Sequence, residues 1–354
     1  MRAVPHAARE ARRQPLVPWW LDGYDFVSFD SGGAMRRRLF LAVAAAAGLA
    51  NAQPKRPPKR VGHLSPGSSG QHQNADAIKE FLRQHGYIEG TSYIWEDRFT
   101  AGHNELAEPF ARELVAWGAD VIIGATTPIV VALHRVTQTI PIVMDYVSDP
   151  VGSGLIATFA HPGTNVTGAT DYGNEVAGKW LQFSRDIRPR NHKVGVLTTR
   201  DPPHPLQTEA IAEAGRTAGV QVTPLLFEEE ASVELTLNRA AAESCEVVIV
   251  LGGSRQTPFR KRIADAAIER RICTVAINRQ YVDAGCLASY GLNHIADMKL
   301  VASYVARILA GAKPSDLPVE QPTTFELILN LKTARAMQIE LPARVLAAAD
   351  QLIQ

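Results

Sequence analysis

"VGHL", Val61 to Leu64, is answered 133 residues later by "VGVL", Val194 to Leu197, and "DVIIGATT" from Asp120 is answered 126 residues later by "EVVIVLGGS" from Glu246. Gly86-Tyr87 returns as Gly219-Val220 at an offset of 133, and "IPIV" from Ile140 returns as "ICTV" from Ile272 at 132. Short apolar runs bounded by small and polar residues read as strands; "SYIWEDRF" from Ser92 and "NVTGA" from Asn165 complete the first set. Between strands, windows such as Asn104 to Trp117 place Leu106, Phe110 and Leu114 on one helix face. Strand-helix alternation predicts a parallel sheet covered on both faces. Its restart predicts an α/β protein of two doubly wound parallel-sheet lobes, with the carboxyl ends of the strands in both lobes aimed into a shared cleft.

The end of the chain departs from the repeat. A helical window from Met298 to Leu309 stops at Gly311, and "FELILNLKTA" from Phe325 reads as a strand entering a last helix. This tail is expected to cross back and tie the lobes together. The predicted division is lobe 1 over 61–170 plus about 291–320, lobe 2 over 171–290, and the tying strand and helix over 321–354.

Toward the amino terminus, "MRRRLFLAVAAAAGLANAQPK" from Met35 has the order of an export signal: basic Arg36 to Arg38, an uncharged run from Leu39 to Ala50, and Ala50-Asn51-Ala52 before Gln53. The run is about half the ~20 residues that a membrane span needs. Arg37-Arg38 also fits a twin-arginine signal. Residues 35–52 are therefore expected to direct the protein to the periplasm, with 53–60 as a linker. Residues 1–34 read as a misplaced start or a disordered extension.

Composition narrows the function classes. The net charge is +1 with 21% charged residues, and no basic stripe recurs, so nucleic acid is not an expected partner. Cys245, Cys273 and Cys286 have no metal-ligand spacing; they read as buried thiols, with a Cys273–Cys286 disulfide as the alternative. "GSGLIA" from Gly152 matches a dinucleotide fingerprint but follows the fourth strand after Asp149-Pro150, which is the wrong context. No nucleophile elbow, phosphate loop or zinc-protease motif occurs, so no catalytic residue, metal or cofactor is expected.

What recurs is a polar loop after each strand: "SPGSSGQ" at Ser65, "ATTP" at Ala125, "YVSDP" at Tyr146, "TTRDPPHP" at Thr198, "GGSRQTP" at Gly252 and "NRQYVDAG" at Asn278. Loops of this kind meet helix amino termini, whose free N–H groups suit a carboxylate. The expected ligand contacts are Ser65, Ser68, Thr126, Thr127 and Ser254 as hydroxyl donors, Asp149 for a cationic end, Arg200 for a carboxylate, and Tyr281 for the ligand body. Asp171, Asp201 and Asp283, Arg255 and Arg279, and Tyr146, Tyr172 and Tyr290 are further members of these sets.

The stretch from "GYIEGTSYIWEDRF" at Gly86 through "NVTGAT" at Asn165 resembles the bacterial ABC-transporter substrate-binding family that includes tryptophan- and tyrosine-binding members. The likeness returns at "YVDAGCLASYGLN" from Tyr281 and at "LNLKTARAMQIELP" from Leu329, and the start "MRRR" is typical of members. The resemblance implies a type I periplasmic-binding-protein fold, three crossing segments as a hinge, capture of a ligand by lobe closure, and no catalysis. It also implies an ABC permease and its ATPase as partners of a monomeric binding protein. Relatives often carry an Asn-Pro-rich loop where this chain has "TTRDPPHP", so an amino acid, aromatic or other, is an expectation from the resemblance alone. The alternative is a periplasmic sensing module that signals to a membrane receptor. A secreted enzyme on the same scaffold would need a reactive pair, which the sequence does not display.

Overall fold

The computed structural model describes residues 57–69, 73–171, 176–190 and 192–354. The amino-terminal extension, the expected export signal and Tyr172 lie outside the described residues. No helix among the described residues is long and apolar enough to cross a membrane.

The first half of the repeat folds as β1 (Lys59–Ser65), α1 (Gln73–Gln84), β2 (Tyr93–Phe99), α2 (Ala107–Ala116), β3 (Val121–Ala125), α3 (Thr127–Val136), β4 (Ile142–Val147) and β5 (Val166–Thr170). These strands form one parallel sheet in the order β2-β1-β3-β4-β5. Alternate residues point to opposite faces. Val61, Ile123 and Val143 therefore pack under Ile78 and Leu82 of α1, while Leu64, Ile122 and Met144 meet Leu114, Ile129 and Leu133 of α2 and α3.

The second half runs α4 (Ala177–Ile187), β6 (Lys193–Thr198), α5 (His204–Ala218), β7 (Gln221–Leu226), α6 (Ser232–Ala242), β8 (Val247–Val250), α7 (Arg260–Glu269), β9 (Cys273–Ala276), α8 (Arg279–Asp283) and β10 (Ala288–Leu292). The chain then returns to the first lobe as α9 (His294–Leu309), whose Met298, Val301 and Val305 complete the α1 face of that sheet, and Glu320 bridges to Ala169 of β5.

The tail differs from the expectation. β11 (Phe325–Asn330) lies antiparallel beside β10, followed by α10 (Leu331–Ala336), α11 (Ala343–Ala348) and β12 (Gln351–Ile353). Leu327 and Leu329 join Val194, Ile249 and Val275 in the core of the second sheet, which has the order β12-β11-β10-β9-β8-β6-β7. Residues from Phe325 onward therefore finish the second lobe, and the link between lobes falls to short crossings around Asp171, Asn293 and Pro322.

Cys245, Cys273 and Cys286 are free and buried. Cys273 sits in the core on one face of the second sheet and Cys286 in the core on the other, which keeps the two thiols apart. Gly291 in β10 marks the tightest backbone approach of this sheet: a Cβ there would stand 1.8 Å from the Ile277 carbonyl oxygen.

Candidate functional site

The carboxyl ends of the parallel strands in both sheets face one cleft, which encloses a cavity of about 90 Å3. Ser65 follows β1, Thr126 and Thr127 open α3, Ser148 follows β4 and Asp171 follows β5 on the first-lobe wall. On the other wall stand His204 and Gln207 from the first turn of α5, Ser254 after β8, and Asn278 before α8. The cleft is shut. Asn104 Nδ2 donates across it to Asp201 Oδ2 at 3.0 Å, and Gln280 Nε2 to Asn74 Oδ1 at 2.6 Å. Arg255 pairs with the same Asp201 and holds it in place.

Asp171, Gln207 and Asn278 meet at one corner, where they also border a small space of about 20 Å3 walled by Trp180, Leu292 and Phe325. The Gln207 Oε1 and Asn278 Oδ1 atoms are buried without a hydrogen-bond partner. Ser148 Oγ donates to Asp171 Oδ1 and orients that carboxylate. The corner thus presents three acceptor groups beside an apolar, aromatic wall. Across the cavity α3 begins with no side-chain cap, and Thr126, at φ +76°, keeps a buried hydroxyl without a partner. Uncapped N–H groups and a spare hydroxyl form a setting for an anionic oxygen. Arg260 lines the second-lobe wall, and burial lowers the pKa of its guanidinium.

His204 accepts at Nδ1 from the Thr199 N–H at 3.2 Å and lies 2.8 Å from the Thr199 hydroxyl. Burial pulls its pKa down to about 4, so the ring is neutral and carries its proton on Nε2. That nitrogen faces Gly253, where a Cβ would come within 2.7 Å; with φ at +90° the position is doubly restricted to glycine.

Beneath the cleft, Asp145 at the end of β4 and Asp297 in the first turn of α9 are wholly buried. Burial, reinforced by the charge of Asp297, raises the Asp145 pKa well above its ordinary value; burial, with Asp171 adding to it, pushes Asp297 up to about 7. Burial thus keeps both carboxyls protonated in the native state above the ordinary carboxylate range. The native state therefore keeps a proton that the unfolded chain releases near pH 4, so stability falls as pH rises from about 4 to 7. Asp145→Asn is expected to flatten that slope and to raise Tm at pH 8 by several degrees, since 1 kcal/mol is worth about 2–4 °C in a domain of this size. Thermal melts of both proteins from pH 4 to 8 check it; parallel curves would remove the pair from the account.

The structure brings Ser65, Thr126, Thr127 and Ser254 to the cavity, as the strand-end loops predict. It does not bring the other four candidates there. Ser68 lies just beyond Gly67, the last residue of that loop on the cavity wall. Asp149, exposed and at φ +47°, turns back to accept from the Gly152 N–H at 2.8 Å and acts as a turn cap. Arg200 is a surface residue 3.7 Å from Glu228, its side chain 79% exposed. Tyr281 is fully buried in the second-lobe core. Of the loop aspartates in the same set, Asp171 and Asp201 line the cavity. Gln207 and Asn278 were not foreseen; the only trace of them is their placement at the starts of helices that follow second-lobe strands.

Two parallel-sheet lobes, linked by short crossings and shut over a polar cavity, define a binding protein of the type I periplasmic fold. The chain belongs to the family of ABC transporter substrate-binding proteins, whose model matches residues 68–353. It is 24% identical over 278 residues to a tyrosine-binding protein of Clostridioides difficile strain R20291, covering 76% of this chain and 79% of that one. Among solved structures, a conserved domain protein of Vibrio cholerae O1 biovar El Tor superimposes with a TM-score of 0.75 at 26% identity, over 84% of this chain and 100% of the other. A Streptococcus pneumoniae ABC domain in complex with L-Trp gives 0.76 at 22% identity, over 84% and 100%.

Proposed function

We propose that this chain is the exported solute-binding component of an ABC importer and that its ligand is an amino acid, held in the inter-lobe cleft by lobe closure and passed to a membrane permease driven by an ATPase. The observation that carries the ligand class is the corner formed by Asp171, Gln207 Oε1 and Asn278 Oδ1. An ammonium has three N–H donors, and three acceptor groups converge there. The α-carboxylate then takes the uncapped start of α3 with the Thr126 hydroxyl, and Ser65 and Ser254 supply further polar contacts. The tyrosine-binding relative and the export-signal order of residues 35–52 support the same reading.

A thermal-shift screen of the purified protein against amino acids, dicarboxylates and sugars tests it. A ligand at 100 times its Kd adds about 2.7 kcal/mol, enough for a clear rise in Tm. The expected hits are amino acids with aromatic side chains. Hits confined to sugars or dicarboxylates would overturn the reading.

A further inference from the structure

The two hydrogen bonds that cross the cleft join protein to protein, and they stand at different distances from the crossings that link the lobes. Those crossings adjoin β5 and β10. In the first sheet, ordered β2-β1-β3-β4-β5, Asn104 follows β2, four strands from β5, and Asn74 follows β1, three strands away. In the second sheet Asp201 follows β6, three strands from β10, whereas Gln280 follows β9, the adjacent strand. The Asn104–Asp201 bond is thus the farther of the two from the crossings. With strands about 4.8 Å apart, Asn104 stands about 19 Å from them. Turning one lobe by about 6° about the crossings moves Asn104 by about 2 Å, enough to break its 3.0 Å hydrogen bond to Asp201. That bond belongs to the shut cleft alone.

Both partners are held in place from within their own lobes. The Asp201 N–H donates to the Thr199 hydroxyl at 3.2 Å, and Arg255 Nε donates to the Asp201 carboxylate. Asn104 opens a single 3-10 turn, Asn104–Leu106, just after Gly102. Gly102, at φ +88°, lets this loop come against the second lobe; a Cβ there would stand 3.2 Å from the Arg255 carbonyl oxygen. A hydrogen bond to a carboxylate is stronger than one between neutral groups. The other amide atom, Asn104 Oδ1, is buried without a partner, which offsets part of that gain and keeps the contact weak enough to open. Asp201 lines the cavity and Asn104 does not.

Resting on the reading that the cleft captures an amino acid by closure, we infer that Asn104 and Asp201 form a clasp that holds the lobes shut whatever ligand lies between them. Apparent affinity is the affinity of the shut cleft multiplied by the fraction of molecules that are shut, so the clasp scales the affinity for every ligand by one factor. Asn104 is then a positioning residue, which acts through the placement of the lobes without touching the ligand.

Asn104→Ala tests the clasp, because it removes the bond and leaves the cavity wall intact. Small-angle X-ray scattering of the ligand-free variant is expected to give a larger radius of gyration than the wild type, and saturating tryptophan should bring the two together. Calorimetric titration with tryptophan and with tyrosine should show binding weakened about three- to tenfold, by the same factor for both. A merely structural role would lower Tm and move neither the scattering nor the affinities. Arg255→Ala frees the Asp201 carboxylate from its own lobe and should give the same pattern; it decides the matter if Asn104→Ala fails to fold. An unchanged radius of gyration, or losses that differ more than about threefold between the two ligands, would overturn the clasp and leave the amino-acid reading standing. Failure of the wild type to bind any amino acid would overturn that reading, and the scattering comparison would still decide the clasp.

Discussion

Asp171→Asn is expected to weaken amino-acid binding at least a hundredfold while leaving the Tm of the ligand-free protein nearly unchanged. The substitution keeps the shape of the side chain and removes the negative charge from the corner shared with Gln207 and Asn278. Nearby acids do not replace it, because burial raises the pKa of both Asp145 and Asp297 and neither lines the cavity. Losing one partner of a desolvated, hydrogen-bonded ion pair costs about 2–5 kcal/mol, and a hundredfold corresponds to about 2.7 kcal/mol. Asp149→Asn is the matched control: that side chain is exposed and keeps its turn through an amide oxygen as well as a carboxylate oxygen, so affinity should stay the same. Titration of both variants against the best ligand of the thermal screen decides. If Asp171→Asn binds like the wild type, the ammonium corner is misplaced.

Gly291→Ala is expected to cost about 3–5 kcal/mol, among the largest effects of any single methyl addition in the chain. The added Cβ would stand 1.8 Å from the Ile277 carbonyl oxygen and 2.9 Å from its carbon, both backbone atoms of the neighbouring segment. A side chain could rotate away; a backbone in a seven-stranded sheet relaxes only by moving strands. Gly178 in α4 supplies the contrast, since nothing lies within 4 Å of its Cβ position. Gly178→Ala should stabilise by about 0.5–1 kcal/mol through helix propensity and chain entropy. Urea unfolding of the two variants measures both signs. A Gly291→Ala midpoint equal to the wild type would mean that β10 has slack which the packing does not show.

Much of the scaffold was legible because strand-helix alternation is written in local pattern. "DVIIGA" and "EVVIVL" alternate faces in sequence as they do in β3 and β8. The tail was less so: "FELILN" announces a strand, but which sheet edge it joins depends on Tyr290 and Leu292 of β10, a pairing that no local pattern encodes. The site divides the same way. Loops after strands were recognisable, and four of the eight contact residues expected from them, Ser65, Thr126, Thr127 and Ser254, line the cavity. Asp149 and Asp171 were indistinguishable in sequence because their directions depend on a register shift in β4 next to Tyr146, at φ +51°, and on the left-handed turn at Asp149. Tyr281 lies in a helix of five residues, too short for periodicity to say which side faces inward. Asp297 reads as an ordinary acidic residue in a helix's first turn; its burial against Asp145 arises only when α9 returns to the first sheet.

That return has a consequence for how the protein is made. The face of the first sheet bearing Val61, Ile123 and Val143 stays only partly covered, by α1, until Val301 and Val305 have been synthesised, and the second sheet lacks an edge until Phe325–Asn330 arrives. Neither half can finish folding until residues near the end of the chain have been made. A chain leaving the ribosome amino terminus first therefore remains incompletely packed over most of its length until translation is nearly done.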